Sequence, residues 1–243
     1  MQPAIDQNFP ASDASPAAVL DRIYAEGYLP SMDGGATFPC FPVGLTRRPG
    51  EGLAALIRAE GVGSTVEVGM ALGLSTLWIM QGCDGPHVAI DPSQRTTWLG
   101  AGLRAVREAG LEERLTLLEQ DSRLALPAMV ADGTAFDFAF IDGVHRFEYA
   151  FLDVCYALRL VRPGGLVVLD DRWMPAVRAA ADYAVRNLGV GLEAMYDPEA
   201  DRRMIVLRRP EKDFVPAWDG FEAFGAGGVA SPGEVDVGRG YER

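Results

Sequence analysis

The chain of 243 residues is poor in lysine, histidine and cysteine. Lys212 is the only lysine among 22 basic residues, and there are only two histidines, so few side chains other than carboxylates are available to move protons. The cysteines Cys40, Cys83 and Cys155 are widely spaced and odd in number, unlike a disulfide framework or a zinc site. They are predicted to be free thiols.

Long apolar runs and a basic excess are also missing. No segment approaches the roughly 20 apolar residues that a membrane span needs, and the first 16 residues carry acids and prolines where a signal peptide has a basic start. The formal net charge of −12 argues against a nucleic-acid groove, because phosphates attract basic surfaces. These absences predict a cytoplasmic protein with a small-molecule substrate and no nucleic-acid or membrane partner.

The sequence does have ample core material and a regular alternation of patterns. Hydrophobic residues make up 49% of the chain, and after Gly63 short apolar runs alternate with helix-like stretches. This alternation predicts a doubly wound, Rossmann-like α/β fold around a parallel sheet. The predicted strands are Val66–Met70, Val88–Ile90, Leu115–Leu118, Phe136–Ile141 and Leu166–Leu169. The predicted helices are Pro16–Gly27, Glu51–Glu60, Ser75–Gly82, Gln94–Gly110, Ser122–Ala131, Phe147–Val161 and Pro175–Gly189.

The alternation ends in two further strand candidates, Leu192–Tyr196 and Met204–Leu207, on either side of a turn-rich segment. They are too close for a crossover helix, so they are expected to complete a seven-stranded sheet as an antiparallel hairpin. The pattern divides the chain into an N-terminal lead and lid-like segment (residues 1–50), a main domain (51–210) and a C-terminal tail (211–243). Within the first part, Leu29–Gly50 is predicted to be an irregular loop.

The segment VEVGMALGLST at residues 66–76 has the pattern of a ligand-binding turn between a strand and a helix. Gly69 and Gly73 let the backbone turn sharply and let a ligand approach closely. The helix N-terminus, with Ser75 and Thr76, offers N–H groups and hydroxyls to an anionic group such as the carboxylate of a methionine-like cofactor. The alternative is a turn that only connects the two elements.

Acids near this turn narrow the type of ligand. Glu67 stands where a dinucleotide-binding Gly-x-Gly-x-x-Gly turn has its first glycine, and it suits an ammonium or sulfonium group better than a pyrophosphate. Asp91 ends the next strand, 24 residues later, as expected for an acid that binds a ribose diol. Asp121 and Ser122 follow the third strand and are candidates for the adenine edge, although such residues are also ordinary helix N-caps.

A second group of acids follows the fourth and fifth strands. Asp142 ends the fourth strand, and Asp170 and Asp171 end the fifth. Neighbouring parallel strands bring such carboxylates to one sheet edge, where a hard divalent ion such as Mg²⁺ would relieve their repulsion. The alternative is that one aspartate caps the helix beginning near Pro175 or pairs with Arg172.

Of the two histidines, His87 starts an apolar strand and is interpreted as structural, whereas His145 lies in the loop after Asp142. With a reference pKa near 6.5, His145 is the best available general base in a region without lysine. The alternative is a supporting histidine hydrogen-bonded to an aspartate.

Together these motifs resemble the metal-dependent class I O-methyltransferases, with a closer likeness to the macrocin-type, sugar-modifying branch than to catechol O-methyltransferase. The resemblance covers roughly residues 50–210 and rests on VEVGMALGLST, HVAIDP, FDFAFIDGVHRFEYAFLD and RPGGLVVLDD. It implies the S-adenosylmethionine (SAM) methyltransferase fold, a divalent metal held by Asp142, Asp170 and Asp171, and His145 as the base where catechol-type relatives use lysine. It also implies a homodimer or a higher homo-oligomer.

The resulting hypothesis is SAM-dependent methylation of a hydroxyl on a natural-product sugar, a vicinal diol or a catechol-like molecule. Asp142 and His145 are the expected catalytic residues. Three alternatives stay open: a metal-independent N- or O-methyltransferase, an oxidoreductase that uses a nicotinamide cofactor, and a non-catalytic SAM-binding protein. The missing Gly-x-Gly-x-x-Gly pattern and the terminal hairpin count against the oxidoreductase.

Overall fold

The computed structural model describes residues 14–193, 204–212 and 219–225, in which seven strands form one central sheet. Across the sheet the strands are β5 (Leu115–Leu118), β4 (His87–Ile90), β3 (Thr65–Val68), β6 (Phe136–Ile141), β7 (Val161–Leu169), β9 (Ile205–Arg208) and β8 (Gly191–Leu192). A separate antiparallel pair is formed by β1 (Tyr28–Pro30) and β2 (Thr37–Pro39).

The five neighbouring strands β5, β4, β3, β6 and β7 run parallel, and β9 pairs antiparallel with both β7 and β8. This arrangement confirms the predicted doubly wound sheet with a terminal antiparallel hairpin. The predicted turn at residues 197–201, and most of the strand predicted over Leu192–Tyr196, lie outside the described residues.

Helices cover both faces of the sheet, and successive side chains of a central strand point to opposite faces. In β6, Phe138 and Phe140 pack toward the helices of residues 16–108, whereas Ala139 and Ile141 pack toward those of residues 122–187, as the period of two in a strand requires. The helices are α1 (Pro16–Glu26), α2 (Arg47–Ala59), α3 (Leu74–Gly82), α4 (Ala101–Glu108), α5 (Ser122–Ala131), α6 (Phe147–Leu160) and α7 (Pro175–Asn187). None of the described helices is long and apolar enough to cross a membrane.

The prediction of an irregular loop over Leu29–Gly50 was wrong, because this stretch contains β1, β2 and the start of α2 at Arg47. Gly50 and the preceding proline suggested a break, but this glycine is helical, and the Trp78 ring fills the space that a side chain would occupy. A Cβ on Gly50 would lie 2.1 Å from Trp78 Nε1. That nitrogen donates to the Tyr24 hydroxyl (2.8 Å), which fastens α1 to α3.

The helix predicted over Gln94–Gly110 was also too long, since α4 begins only at Ala101. Leu99 and Gly100 both have positive φ angles (46° and 73°), which no right-handed helix contains. The residues before them form turns instead. The predicted thiols Cys40, Cys83 and Cys155 are free.

Candidate active site

The turn between β3 and α3 is held directly against the loop that follows β6. Gly69 has a φ of 90°, and its N–H donates to Ile90 O (2.9 Å) at the end of β4. A Cβ at this position would lie 2.0 Å from the carbonyl oxygen of Asp142, so a side chain does not fit. Gly73, with a φ of 77°, is the N-cap of α3. The glycines thus bring the turn to the sheet edge where Asp142 lies.

Asp91 links the end of β4 to this turn. Its Oδ2 accepts a hydrogen bond from Ala71 N (2.7 Å) and its Oδ1 accepts one from Ser93 N (2.7 Å). Ala71 has a φ of 43°, a strained value for a residue with a side chain, and the bond to Asp91 helps to hold it. The acid predicted to bind a ribose therefore touches the glycine turn that was predicted to bind the rest of the cofactor.

Gln94 also holds this turn, a contact that the residue pattern does not indicate. Its Nε2 donates to Ala71 O and lies 3.4 Å from Asp91 Oδ2, and the residue is fully buried. The sequence analysis placed Gln94 at the start of a helix, where a polar residue looks like an exposed cap. Only the fold, which brings β3 and β4 side by side, shows the contact.

We expect Gln94→Leu to lower the free energy of unfolding by about 1–3 kcal/mol, because the buried carbonyl of Ala71 loses its donor. Urea denaturation measures the change, and Gln120→Leu is the control because Gln120 is exposed. Equal losses in the two variants would contradict this role.

Glu67 lies in the middle of β3 and is completely buried beneath the turn. Its Oε2 accepts a bond from Thr76 Oγ1 (2.6 Å) and lies 3.2 Å from Nε2 of His87. The other ring nitrogen of His87 lies 2.8 Å from Thr65 Oγ1. Glu67 and Thr76 therefore contact each other and tie β3 to α3. A direct contact of Glu67, Thr76 or the buried Ser75 with a cofactor stays a prediction.

Asp121 is the N-cap of α5, the ordinary role that the sequence left open for it. Its carboxylate accepts hydrogen bonds from the Arg123 guanidinium (2.7 and 2.9 Å), which lowers the pKa of Asp121 to about 2. The Tyr149 hydroxyl also donates to it (3.2 Å), and the Arg123 guanidinium lies 4.1 Å from the centre of the Tyr149 ring. Ser122 is buried next to this group, and adenine contacts for Asp121 and Ser122 stay a prediction.

Asp142, His145 and Asp171 form one cluster at the carboxyl edge of the sheet. Nε2 of His145 lies 2.9 Å from Asp171 Oδ2 and 3.4 Å from Asp142 Oδ1. One ligand atom from each of the three residues lies within 4.8 Å of the others. The Trp173 indole N–H donates to the second oxygen, Oδ1, of Asp171 (2.9 Å).

The structure thus brings together two of the three carboxylates predicted to hold a metal. Asp170 is 1% exposed and is not part of the cluster, because adjacent residues at the end of a strand point in different directions. Asp171 has a φ of 53°, which turns the chain at this point. Neither aspartate caps α7, whose N-cap is Met174. Asp170 as a ligand stays a prediction.

The two carboxylates govern the charge of His145. Contacts with Asp142 and Asp171 raise the pKa of His145 from 6.5 to about 10, against the opposing effect of burial. Without a further cation in the cluster the protonated ring is therefore favoured at neutral pH. The surrounding charge, more than the ring's ordinary pKa, decides what this histidine can do.

Comparison with known proteins supports the reading of the fold. A family model described as a methyltransferase domain matches residues 66–172. Caffeoyl-CoA O-methyltransferase 2 of Zea mays is 31% identical over 144 residues, which are 57% of this chain and 53% of that protein. Flavonoid 3',5'-methyltransferase of Vitis vinifera is 27% identical over 131 residues, which are 51% of this chain and 54% of that protein. The chain spans about half the length of these relatives.

Among solved structures, the O-methyltransferase from Bacillus cereus in complex with S-adenosylhomocysteine (SAH) is similar, with a TM-score of 0.62 at 20% identity. The similarity covers 84% of this chain and 94% of that one. Its level of identity shows a shared fold, and the macrocin-type branch stays a prediction. Residues 66–172 are therefore similar to a methyltransferase domain, and the chain shares the fold of a solved O-methyltransferase.

Proposed function

We propose that this protein is a SAM-dependent O-methyltransferase that acts on a hydroxyl group of a small molecule. The observation that carries the proposal is the bond between the Asp91 carboxylate and Ala71 N, which joins the acid after β4 to the glycine turn after β3. An acid in that place can accept hydrogen bonds from a ribose diol, while the turn and the N-terminus of α3 would bind the carboxylate of the cofactor. The solved Bacillus cereus O-methyltransferase of similar fold is in complex with SAH, which agrees with this cofactor.

In the proposed reaction, a lone pair of the acceptor oxygen attacks the methyl carbon, and the bond from that carbon to the sulfonium breaks. The hydroxyl proton leaves for a base, and the sulfur keeps the electron pair as a neutral thioether. Most of the residues named here act by placing the reactants, because the transfer needs oxygen, carbon and sulfur in line. Gly69 brings the cofactor turn within contact distance of Asp142, so donor and acceptor sites share one edge.

The Asp142–His145–Asp171 cluster fits a divalent cation. Nε2 of His145 is buried and forms no well-aligned hydrogen bond, although two carboxylate oxygens lie within 3.4 Å of it. A cation held by Asp142, His145 and Asp171 would lower the pKa of a hydroxyl bound to it. The sequence favours Mg²⁺ on the basis of oxygen ligands. Asp142 and Asp171 are the residues of the cluster that would supply them.

The hypothesis that His145 is the general base meets a geometric difficulty. A base needs a free lone pair directed at the acceptor, and Nε2 is enclosed between the two carboxylates. The base role stays a prediction, and the position of Nε2 leads to the different role that is argued below.

The acceptor is proposed to be a hydroxylated small molecule, with natural-product sugars and catechol-like vicinal diols as candidate classes. Three large apolar side chains near the cluster in sequence are partly exposed: Val144, Phe147 and Trp173. Such side chains suit an acceptor with a flat apolar face, and flavonoid and caffeoyl-CoA are named in two relatives. We further propose a cytoplasmic homo-oligomer without nucleic-acid or membrane partners.

A cofactor-binding measurement tests the proposal. We expect wild-type protein to bind SAH by calorimetry and not NADH, and Asp91→Asn to weaken SAH binding about tenfold or more, since the substitution removes a charged acceptor. Asp132→Asn is the matched control, because Asp132 is exposed at the end of α5. Binding of NADH without binding of SAH would favour the oxidoreductase alternative. SAH binding without methyl transfer to any hydroxylated acceptor would favour a non-catalytic protein.

A further inference from the structure

We propose that His145 binds the divalent cation directly through Nε2, so that Asp142, His145 and Asp171 form a mixed nitrogen and oxygen site. Such a site prefers a first-row transition cation such as Mn²⁺ or Co²⁺ to Mg²⁺. The inference rests on the proposed function only in placing the cation at the same cluster.

The two distances from His145 Nε2 to the carboxylates match those between neighbouring ligands of one metal ion. With metal–ligand bonds of about 2.0–2.1 Å, adjacent ligand atoms lie about 2.8–3.4 Å apart, from octahedral to tetrahedral geometry. His145 Nε2 lies 2.9 Å from Asp171 Oδ2 and 3.4 Å from Asp142 Oδ1. Both distances fall within that interval.

The hydrogen bonding around the cluster points the same way. Nε2 of His145 is buried and lacks an aligned hydrogen bond, although a carboxylate oxygen of Asp142 and one of Asp171 lie close to it. The Trp173 indole N–H binds Oδ1 of Asp171, while the other oxygen, Oδ2, faces His145. A hydrogen bond to one carboxylate oxygen that leaves the other free to bind a metal is a common way in which supporting residues orient metal ligands.

The donor set determines which cation is preferred. Mg²⁺ takes oxygen ligands and keeps much of its water, whereas an imidazole nitrogen suits Mn²⁺, Fe²⁺, Co²⁺ and Zn²⁺ progressively better. A ligating Nε2 has its lone pair committed and cannot remove a proton from the acceptor. The ligand and base roles of this nitrogen therefore exclude each other.

Spectroscopy of the Mn²⁺-loaded protein, made without a histidine tag, tests the proposal without any activity assay. We expect pulsed electron paramagnetic resonance to show coupling of Mn²⁺ to a ¹⁴N nucleus. That coupling should vanish in His145→Ala and persist in His87→Gln, which alters the only other histidine. Calorimetry should show at least tenfold tighter binding of Mn²⁺ than of Mg²⁺ in the wild type. His145→Ala should weaken Mn²⁺ binding at least tenfold and change Mg²⁺ binding less than threefold.

Absence of nitrogen coupling in the wild type, or equal Mn²⁺ affinity in His145→Ala, would overturn the proposal. Retained SAH binding by His145→Ala shows that the variant is folded. If wild-type protein shows the nitrogen coupling but binds no SAH, the metal site stands and the proposed function fails. If it binds SAH but no divalent cation, the function stands and this inference fails.

Discussion

Gly69→Ala is expected to destabilise the protein by about 3 kcal/mol or more, because the new methyl group has nowhere to go. Its Cβ would lie 2.0 Å from Asp142 O and 2.6 Å from the carbonyl carbon of the same residue. These are backbone atoms at the end of β6, so no side-chain rotation relieves the overlap. Relief requires the turn after β3 and the loop after β6 to move apart.

A matched glycine separates this overlap from the effect of backbone conformation. Gly61 also has a positive φ, 62°, but a Cβ there would have no atom within 4 Å. Gly61→Ala is therefore expected to cost only the left-handed conformation, about 1–2 kcal/mol. Urea denaturation of both variants measures the difference. Losses of equal size would mean that the contact between Gly69 and Asp142 is not tight.

Gly69→Ala is expected to disturb both the candidate cofactor turn and the proposed metal site at Asp142, His145 and Asp171. Asp142 is both the backbone neighbour of Gly69 and the side chain that contacts His145. If the two loops separate, SAH binding and Mn²⁺ binding should both weaken in Gly69→Ala. Gly61→Ala, which lies in the turn between α2 and β3, should leave both unchanged.

Elements whose signal is local could be predicted from the sequence. The bounds of β5, β6 and α5 agree with the prediction, because their apolar periodicity is complete within each segment. The sheet edge that carries Asp91 and Asp142 follows from those strands, since parallel neighbours end on the same side. The antiparallel pairing of β9 also followed, because the gap before it was too short for a crossover helix.

Features that depend on contacts between distant segments could not be predicted. Gln94, in the loop after β4, donates a hydrogen bond to Ala71 O in the turn after β3. The space beside Gly50 in α2 is filled by Trp78 of α3. The difference between Asp170 and Asp171 follows from the end of β7 at Leu169 and from the positive φ of Asp171, neither of which the residue types reveal. The sequence therefore identified the acids at the edge but not which of them meet.

Asp153→Asn is expected to stabilise the protein at neutral pH, although it replaces a buried residue. Asp153 lies in α6 at 1% exposure, and neither oxygen of its carboxylate has a well-aligned hydrogen bond among the described residues, although Ser122 lies near enough to favour the ionised form. Burial raises the pKa of Asp153 from 3.8 to about 6; Ser122 and Arg123 oppose this effect, and the charge of Asp121 adds to it. An ionised carboxylate in this place costs free energy that a neutral amide avoids.

The ionisation of Asp153 makes the stability of the protein depend on pH. A carboxyl whose pKa is higher in the folded state holds its proton more tightly there, so stability falls as the pH rises from 3.8 through about 6. A shift of this size corresponds to about 3 kcal/mol at pH 7, and the advantage of Asp153→Asn should approach that value. At pH 4, where the folded carboxyl is almost fully protonated and the unfolded one slightly more than half ionised, the advantage should fall below about 1 kcal/mol. Urea denaturation at pH 4, 5.5 and 7 follows the change.

Asp182 supplies the opposite case on the neighbouring helix α7. It is equally enclosed, but its oxygens accept hydrogen bonds from Arg186 Nε (2.7 Å) and from Gly225 N (2.8 Å). Asp182→Asn removes a paired charge and should destabilise the protein at pH 7, whereas Asp153→Asn removes an unpaired one. If Asp153→Asn proved equally destabilising at pH 4 and pH 7, the carboxylate would have a partner that its surroundings do not show. The two substitutions are thus expected to change the stability in opposite directions, because only Asp182 has a hydrogen-bond donor for each carboxylate oxygen.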